Sequence, residues 1–172
     1  MIYVYLLYKF GLFGDMIINL YYFMMSVYGW YFWSKGNLSE NIIPITKIKA
    51  NDFKLLTLLF LVSFSTILIL YWFKPYIHGA TEDEVLELFS KRYNWVDWID
   101  SFTTAIFFVG MWLMAKKKLE NWYFWIVADL ISIPVYLYKG LAISSVQFLI
   151  FTVLATKGLS SWRKLYQGKR LI

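Results

Sequence analysis

The chain has 172 residues, of which 60% are hydrophobic, 22% aromatic and only 16% charged. A soluble domain of this size carries roughly a quarter charged residues, so this chain has too little polar surface to stand in water. It contains no cysteine, which excludes disulfides, thiolate catalysis and cysteine-bound metals, and its net charge is +6.

The apolar residues come in blocks long enough to cross a bilayer, which takes about 18 or more in a row. A short first segment covers about residues 1–10, and its flanks lack the basic region and small-residue site of a cleaved signal. The second covers about 14–33, "GDMIINLYYFMMSVYGWYFW". A polar connection at 34–54 follows, then a third segment at about 55–73, "LLTLLFLVSFSTILILYWF". Residues 74–94 are polar again, and "TEDEVLELFSKRYN" predicts a short amphipathic surface helix. Three more segments cover about 95–115, 120–138 and 140–159. The sequence therefore predicts an all-α integral membrane protein with multiple passes.

If every segment spans, the connections alternate sides. One side collects Lys35, Lys47, Lys49, Lys54, Lys116, Lys117, Lys118, Lys157, Arg163, Lys164, Lys169 and Arg170. The other collects Lys9, Lys74, Lys91, Arg92 and Lys139, beside Glu82, Asp83, Glu84 and Glu87. Basic residues accumulate in cytoplasmic loops, so the first set and the C-terminus are expected in the cytoplasm. The positive charge thus reads as loop bias, not as a nucleic-acid surface.

An internal repeat is visible at an offset of 129 residues. Gly11, Gly29 and Trp33 match Gly140, Gly158 and Trp162, and Leu12 matches Leu141. The expected organisation is an incomplete first helical repeat at 1–33, a connecting region at 34–94 that holds a linking helix at 55–73, a second three-helix repeat at 95–162, and a basic tail at 163–172. Two parallel repeats around a linking helix form one of the transporter plans.

The stretch "NWYFWIVAD" at 121–129 carries the chemistry. At helical spacing Trp122, Trp125 and Asp129 share a face that continues to Ser132 and Tyr136, and Asn121 flanks Trp125. Pro134 frees the carbonyl of Leu130 and invites a kink. Indoles stack on flat rings and on cations. A carboxylate at membrane depth is costly and by default marks a functional site. The stripe suits a small ligand with a flat ring, neutral or cationic, and a hydroxylated part. The competing readings are an aromatic belt for Trp122 and a cap or interhelical bridge for Asp129. Asn19 and Tyr22 in the second segment, and Gln147 and Phe151 in the sixth, lie at similar depth as ligand contacts or as interhelical glue. Gly29, Gly110 and Gly158 read as close-packing positions. His78 is the one histidine, and no metal site or cofactor is expected. Neither a phosphate-binding loop nor a nucleophile–base pair appears, so the chain is not expected to be an enzyme.

These residues resemble a known family. "KKKLENWYFWIVADLISIPVYLYKGL", "YGWYFW" and "DSFTTAIFFVGMWLMA" are similar to stretches of the PnuC-type nicotinamide riboside transporters, with the resemblance running from about Gly11 to Trp162. It implies two three-helix halves around a linking helix, an architecture related to the SWEET sugar transporters. It also implies facilitated uptake of nicotinamide riboside across the bacterial inner membrane, with a cytoplasmic kinase that traps the product. Asn121, Trp122 and Trp125 would be substrate contacts, as would Tyr22 and Asn19, which stands where the family usually has glutamine. The family also has a first helix and an Asn-Trp-Pro-x-Gly segment that this sequence does not show, so the first half is expected to be short. Thiamine or riboflavin as cargo, and a truncated membrane protein that binds without transporting, are the alternatives. Assembly as a homo-oligomer fits as well as a monomer.

Overall fold

A computed structural model describes residues 13–35, 44–77 and 95–168. Five helices lie among them: α1 Phe13–Lys35, α2 Ala50–Ile77, α3 Trp95–Ala115, α4 Asn121–Tyr138 and α5 Ala142–Gly168. They correspond to five of the six expected segments. The segment at 1–10, the surface helix expected in 81–94 and His78 lie outside the described residues.

Three of these helices, α2, α3 and α5, are long and apolar enough to cross a membrane. At a rise of about 1.5 Å per residue, the 27 residues of α5 reach about 40 Å, beyond a hydrocarbon core of about 30 Å. The helix runs past the expected boundary at 159 because "SSWRKLYQG" continues it with polar residues. Likewise α2 begins five residues earlier than expected. Asp52 in its first turn accepts a hydrogen bond from the Lys49 amide at 2.9 Å, which satisfies a helix-start donor.

Helix α3 is the hub. It packs against α1, α2 and α4, and α4 packs extensively on α5. Its buried face alternates small and branched residues, Ser101, Ala105, Val109, Gly110 and Leu113 among them, so neighbours approach closely. Val109 and Leu113 form a core with Leu56 of α2. Gly29 meets the Ala115 backbone, where an added Cβ would sit 3.4 Å from Cα. Trp33 donates its indole N–H to the Ala115 carbonyl at 3.0 Å.

The α3–α4 turn is tight. Lys117 adopts a left-handed φ of 51°, the Lys118 amide bonds the Leu113 carbonyl at 2.9 Å, and the Lys117 amide bonds the Met114 carbonyl at 3.0 Å. The same wrap closes α4, with Gly140 at φ 75° and the Leu141 amide on the Tyr136 carbonyl at 2.9 Å. A parallel bridge pins the first turn to the segment before α2: the Thr46 amide bonds the Lys117 carbonyl at 3.0 Å and the Leu119 amide bonds the Thr46 carbonyl at 2.8 Å. Lys118 pairs with Asp52 at 2.8 Å, and the Ile48 amide donates to the Glu120 carboxylate at 3.0 Å. The ends of α1 and α3 and the starts of α2 and α4 therefore gather at one end of the bundle, with Lys47 over the Tyr166 ring of α5 at 5.6 Å. Among the described residues, Lys47, Lys116, Lys117 and Lys118 of the basic set that the sequence assigns to one side lie at this end.

Candidate functional site

Helix α4 carries the predicted stripe between α3 and α5. Asn121 is fully buried and Asp129 is 1% exposed. Among the described residues, five buried side-chain polar atoms lack a hydrogen-bond partner: Asn121 Oδ1, the indole nitrogens of Trp122 and Trp125, and both carboxylate oxygens of Asp129. All five belong to the "NWYFWIVAD" stretch. Buried polar groups are nearly always paired, because an unpaired one costs roughly 1–3 kcal/mol. Five together on one helix face are a demand for hydrogen-bonding groups that the described protein atoms do not supply.

The neighbouring hydroxyls show the contrast. Ser132 donates to the Ala128 carbonyl at 2.8 Å, Thr103 to the Ile99 carbonyl at 3.0 Å, and Thr152 to the Phe148 carbonyl at 3.0 Å. Each is satisfied within its own helix, as apolar surroundings require. Ser145 donates across to the Ile133 carbonyl at 3.0 Å, beside Pro134, and so ties α5 to α4 where the proline removes a donor.

The stripe residues have different surroundings. The Asn121 amide donates to the Lys118 carbonyl at 2.6 Å, which orients the side chain from the turn and leaves its oxygen unpaired. Trp122 lies over Gly158 and meets Trp162 edge-on at 5.4 Å. Trp125 leans the other way, toward Gly110 and the Phe107 ring at 5.4 Å. The two indoles thus flank the stripe on the α5 and α3 sides. Tyr136 packs on Phe148 at 4.8 Å. The Tyr22 ring of α1 lies 6.2 Å from that of Phe108. Asn19, one turn earlier on α1, is half-buried.

Gln147 and Phe151 are not brought to the stripe. Gln147 is exposed and Phe151 is 43% exposed. The inward face of α5 runs through Ser145, Phe148, Ala155 and Leu159. At about 100° per residue, Phe151 sits about 75° from the centre of that face and Gln147 about 115° from it. Phe148 takes the place expected for them, with Phe107 at 6.3 Å and Tyr136 beside it. Polarity alone picked Gln147, whereas the heptad rhythm of Ser145, Ala155 and Leu159 points to Phe148. Phe107 was equally hidden within an apolar run. Gly110 and Gly158 do occupy close-packing positions, since a Cβ at Gly110 would lie 3.3 Å from the Phe124 Cβ and one at Gly158 would overlap the Trp122 ring.

Lys118 pairs with Asp52 and Lys139 with Asp100, and neither pair includes Asp129. An ionised carboxylate in such a place is expensive unless a cation answers it. The stripe thus offers unpaired acceptors on Asn121 and Asp129 and unpaired donors on the two indoles.

The nicotinamide riboside transporter PnuC of Escherichia coli is 26% identical over 161 residues, covering 88% of this chain and 66% of that protein. PnuC of Shigella flexneri matches to the same extent. The riboflavin/roseoflavin transporter RibM of Streptomyces davaonensis is 22% identical over 138 residues, covering 80% of this chain and 58% of the relative. This chain therefore spans about two thirds or less of the length of these curated relatives. No solved structure matches. Residues 1–164 match the model of the family described as nicotinamide mononucleotide transporter, and this multi-pass membrane chain belongs to that family.

Proposed function

We propose that the chain mediates facilitated uptake of nicotinamide riboside across the bacterial inner membrane. The two halves rock about the bound ligand, and a cytoplasmic kinase that phosphorylates the product keeps the flux inward. The observation that carries this reading is the set of five unpaired polar atoms on Asn121, Trp122, Trp125 and Asp129. Nicotinamide riboside is a flat pyridinium on a ribose. Its ring matches the indoles, its charge answers Asp129, and its hydroxyls and amide meet the unpaired donors and acceptors.

The same carboxylate argues against a phosphorylated cargo. The ion-paired or caged lysines lie elsewhere, and a phosphate near Asp129 would place like charges together. Riboflavin is the second reading, favoured by the similarity to RibM. Its ring is neutral, so it would leave Asp129 unanswered. Thiamine, a cation, would not. The rocking mechanism draws support from the matched residues at the 129-residue offset, of which Trp33 and Trp162 lie 6.2 Å apart.

Tryptophan fluorescence of the detergent-purified chain tests this. Nicotinamide riboside is expected to give saturable quenching, and nicotinamide mononucleotide none. Asp129→Asn removes a charge-assisted contact of roughly 1.5–3 kcal/mol, a loss of about 10- to 150-fold in affinity. Trp125→Ala is expected to weaken binding as strongly. Saturation by riboflavin alone would hand the site to the second reading. Silence toward all of these ligands and thiamine would refute a vitamin site on α4 and favour a membrane protein without transport.

A further inference from the structure

A second place in the molecule is built for a ligand and shares no residue with the α4 stripe. Helices α1 and α2 each pack on α3 but not substantially on one another. A cavity of about 410 Å³ lies between them at the basic end of the bundle. Its walls include Phe32 of α1, Leu55 of α2 and Trp112 of α3, and its polar lining is Thr46, Asp52, Lys116 and Lys118.

The two lysines differ. Lys118 is paired with Asp52 at 2.8 Å. Lys116 donates to the Tyr28 hydroxyl, and its ammonium lies 4.9, 5.1 and 5.4 Å from the ring centres of Tyr28, Phe32 and Trp112. Three aromatic faces hold this cation in place, yet no carboxylate among the described residues pairs with it. The surroundings are positive as well: Lys47, Lys49, Lys54, Lys116, Lys117 and Lys118 stand against Asp52 and Glu120. The cavity also reaches the outer surface of the bundle. Leu55 in its wall is 47% exposed, and Leu58, one turn further along α2, is 58% exposed. A fixed cation at the level where the basic residues begin, next to an apolar track that continues into the membrane, fits an amphiphilic anion.

We propose that this cavity binds the phosphate headgroup of an anionic phospholipid, with Lys116 on the phosphate and an acyl chain along Leu55 and Leu58. The lipid completes the packing between α1 and α2. This inference does not depend on the cargo of the α4 site.

Native mass spectrometry of the detergent-purified full chain, titrated with phosphatidylglycerol and with phosphatidylcholine, tests the proposal. One phosphatidylglycerol is expected to bind about fivefold more tightly than phosphatidylcholine, the effect of one lysine facing an anionic headgroup. Lys116→Gln should erase that preference, and Lys116→Arg, which keeps the charge, should preserve it. Lys157→Gln, an exposed lysine on α5, should leave it intact. Leu55→Trp should weaken both lipids by filling the cavity, and it tests the site even if Lys116→Gln does not fold. Equal affinity for the two lipids would overturn the proposal. So would unchanged binding in Lys116→Gln or in Leu55→Trp, or displacement of the lipid by millimolar inorganic phosphate, which would make a free anion the ligand.

Discussion

Gly158 shows how a single missing methyl group sets the position of a functional side chain. The indole of Trp122 occupies the space that a Cβ at 158 would fill, and its benzo-ring atoms are the ones that would collide. Gly158→Ala is therefore expected to destabilise the protein by about 1–3 kcal/mol, the usual cost of overpacking. Trp122→Phe removes the colliding atoms, so the double variant should recover part of that loss. Thermal denaturation of the two single variants and the double variant gives the coupling, and additive losses would show that the two positions do not communicate. Trp122 itself was legible from the sequence as an aromatic at helical spacing with Trp125 and Asp129. Its partner was not, because a glycine inside an apolar run announces close approach without naming what approaches. Asp129 was legible for a simpler reason: a carboxyl among apolar residues has no cheap alternative to a special environment.

The helices themselves were almost wholly legible, since each apolar block runs on until polar residues and a turn end it. The ends depend on local chemistry. At the close of α4, Gly140 has φ 75° and no atom that a Cβ would meet within 4 Å, so backbone conformation alone demands glycine there. Gly140→Ala is expected to cost about 1–2 kcal/mol, and Gly140→Asn less, because asparagine tolerates the left-handed region. Equal effects of the two substitutions on the denaturation midpoint would count against this account. The close of α3 places Lys117 in the same region without glycine. It is held there by the bridge between the α3–α4 turn and Thr46. That bridge joins segments about 70 residues apart, and nothing local signals it. The phase of α5 depends on distant contacts for a related reason. Gln147 is polar and looks inward-facing in a membrane helix, yet it lies on the exposed face, while Phe148 meets Tyr136.

Across the whole molecule the charge bias predicts sidedness, and the absence of cysteine makes that prediction easy to test. Ile143, 88% exposed near the start of α5, and Gln167, exposed near its end, are 24 residues and about 36 Å apart along the helix. In a single-cysteine series, Ile143→Cys should react with a membrane-impermeant maleimide on intact cells. Gln167→Cys should react only after permeabilisation. The reverse pattern would place the C-terminus outside, and reaction of both on intact cells would mean that α5 does not cross.

The sequence by itself determined the membrane class, the positions of five helices, the gathering of basic residues at one end, and the α4 stripe with its buried carboxyl. Those features follow from hydropathy and helical period, which are properties of neighbouring residues. The tertiary structure alone decided that α3 is the hub, that Trp122 and Trp125 turn to opposite neighbours, and that Lys116 stands in a cage of three rings. Each of these depends on which faces of distant helices meet. Side chains of similar hydropathy can pack in many pairings, and only the complementarity of small and large residues across each interface selects among them.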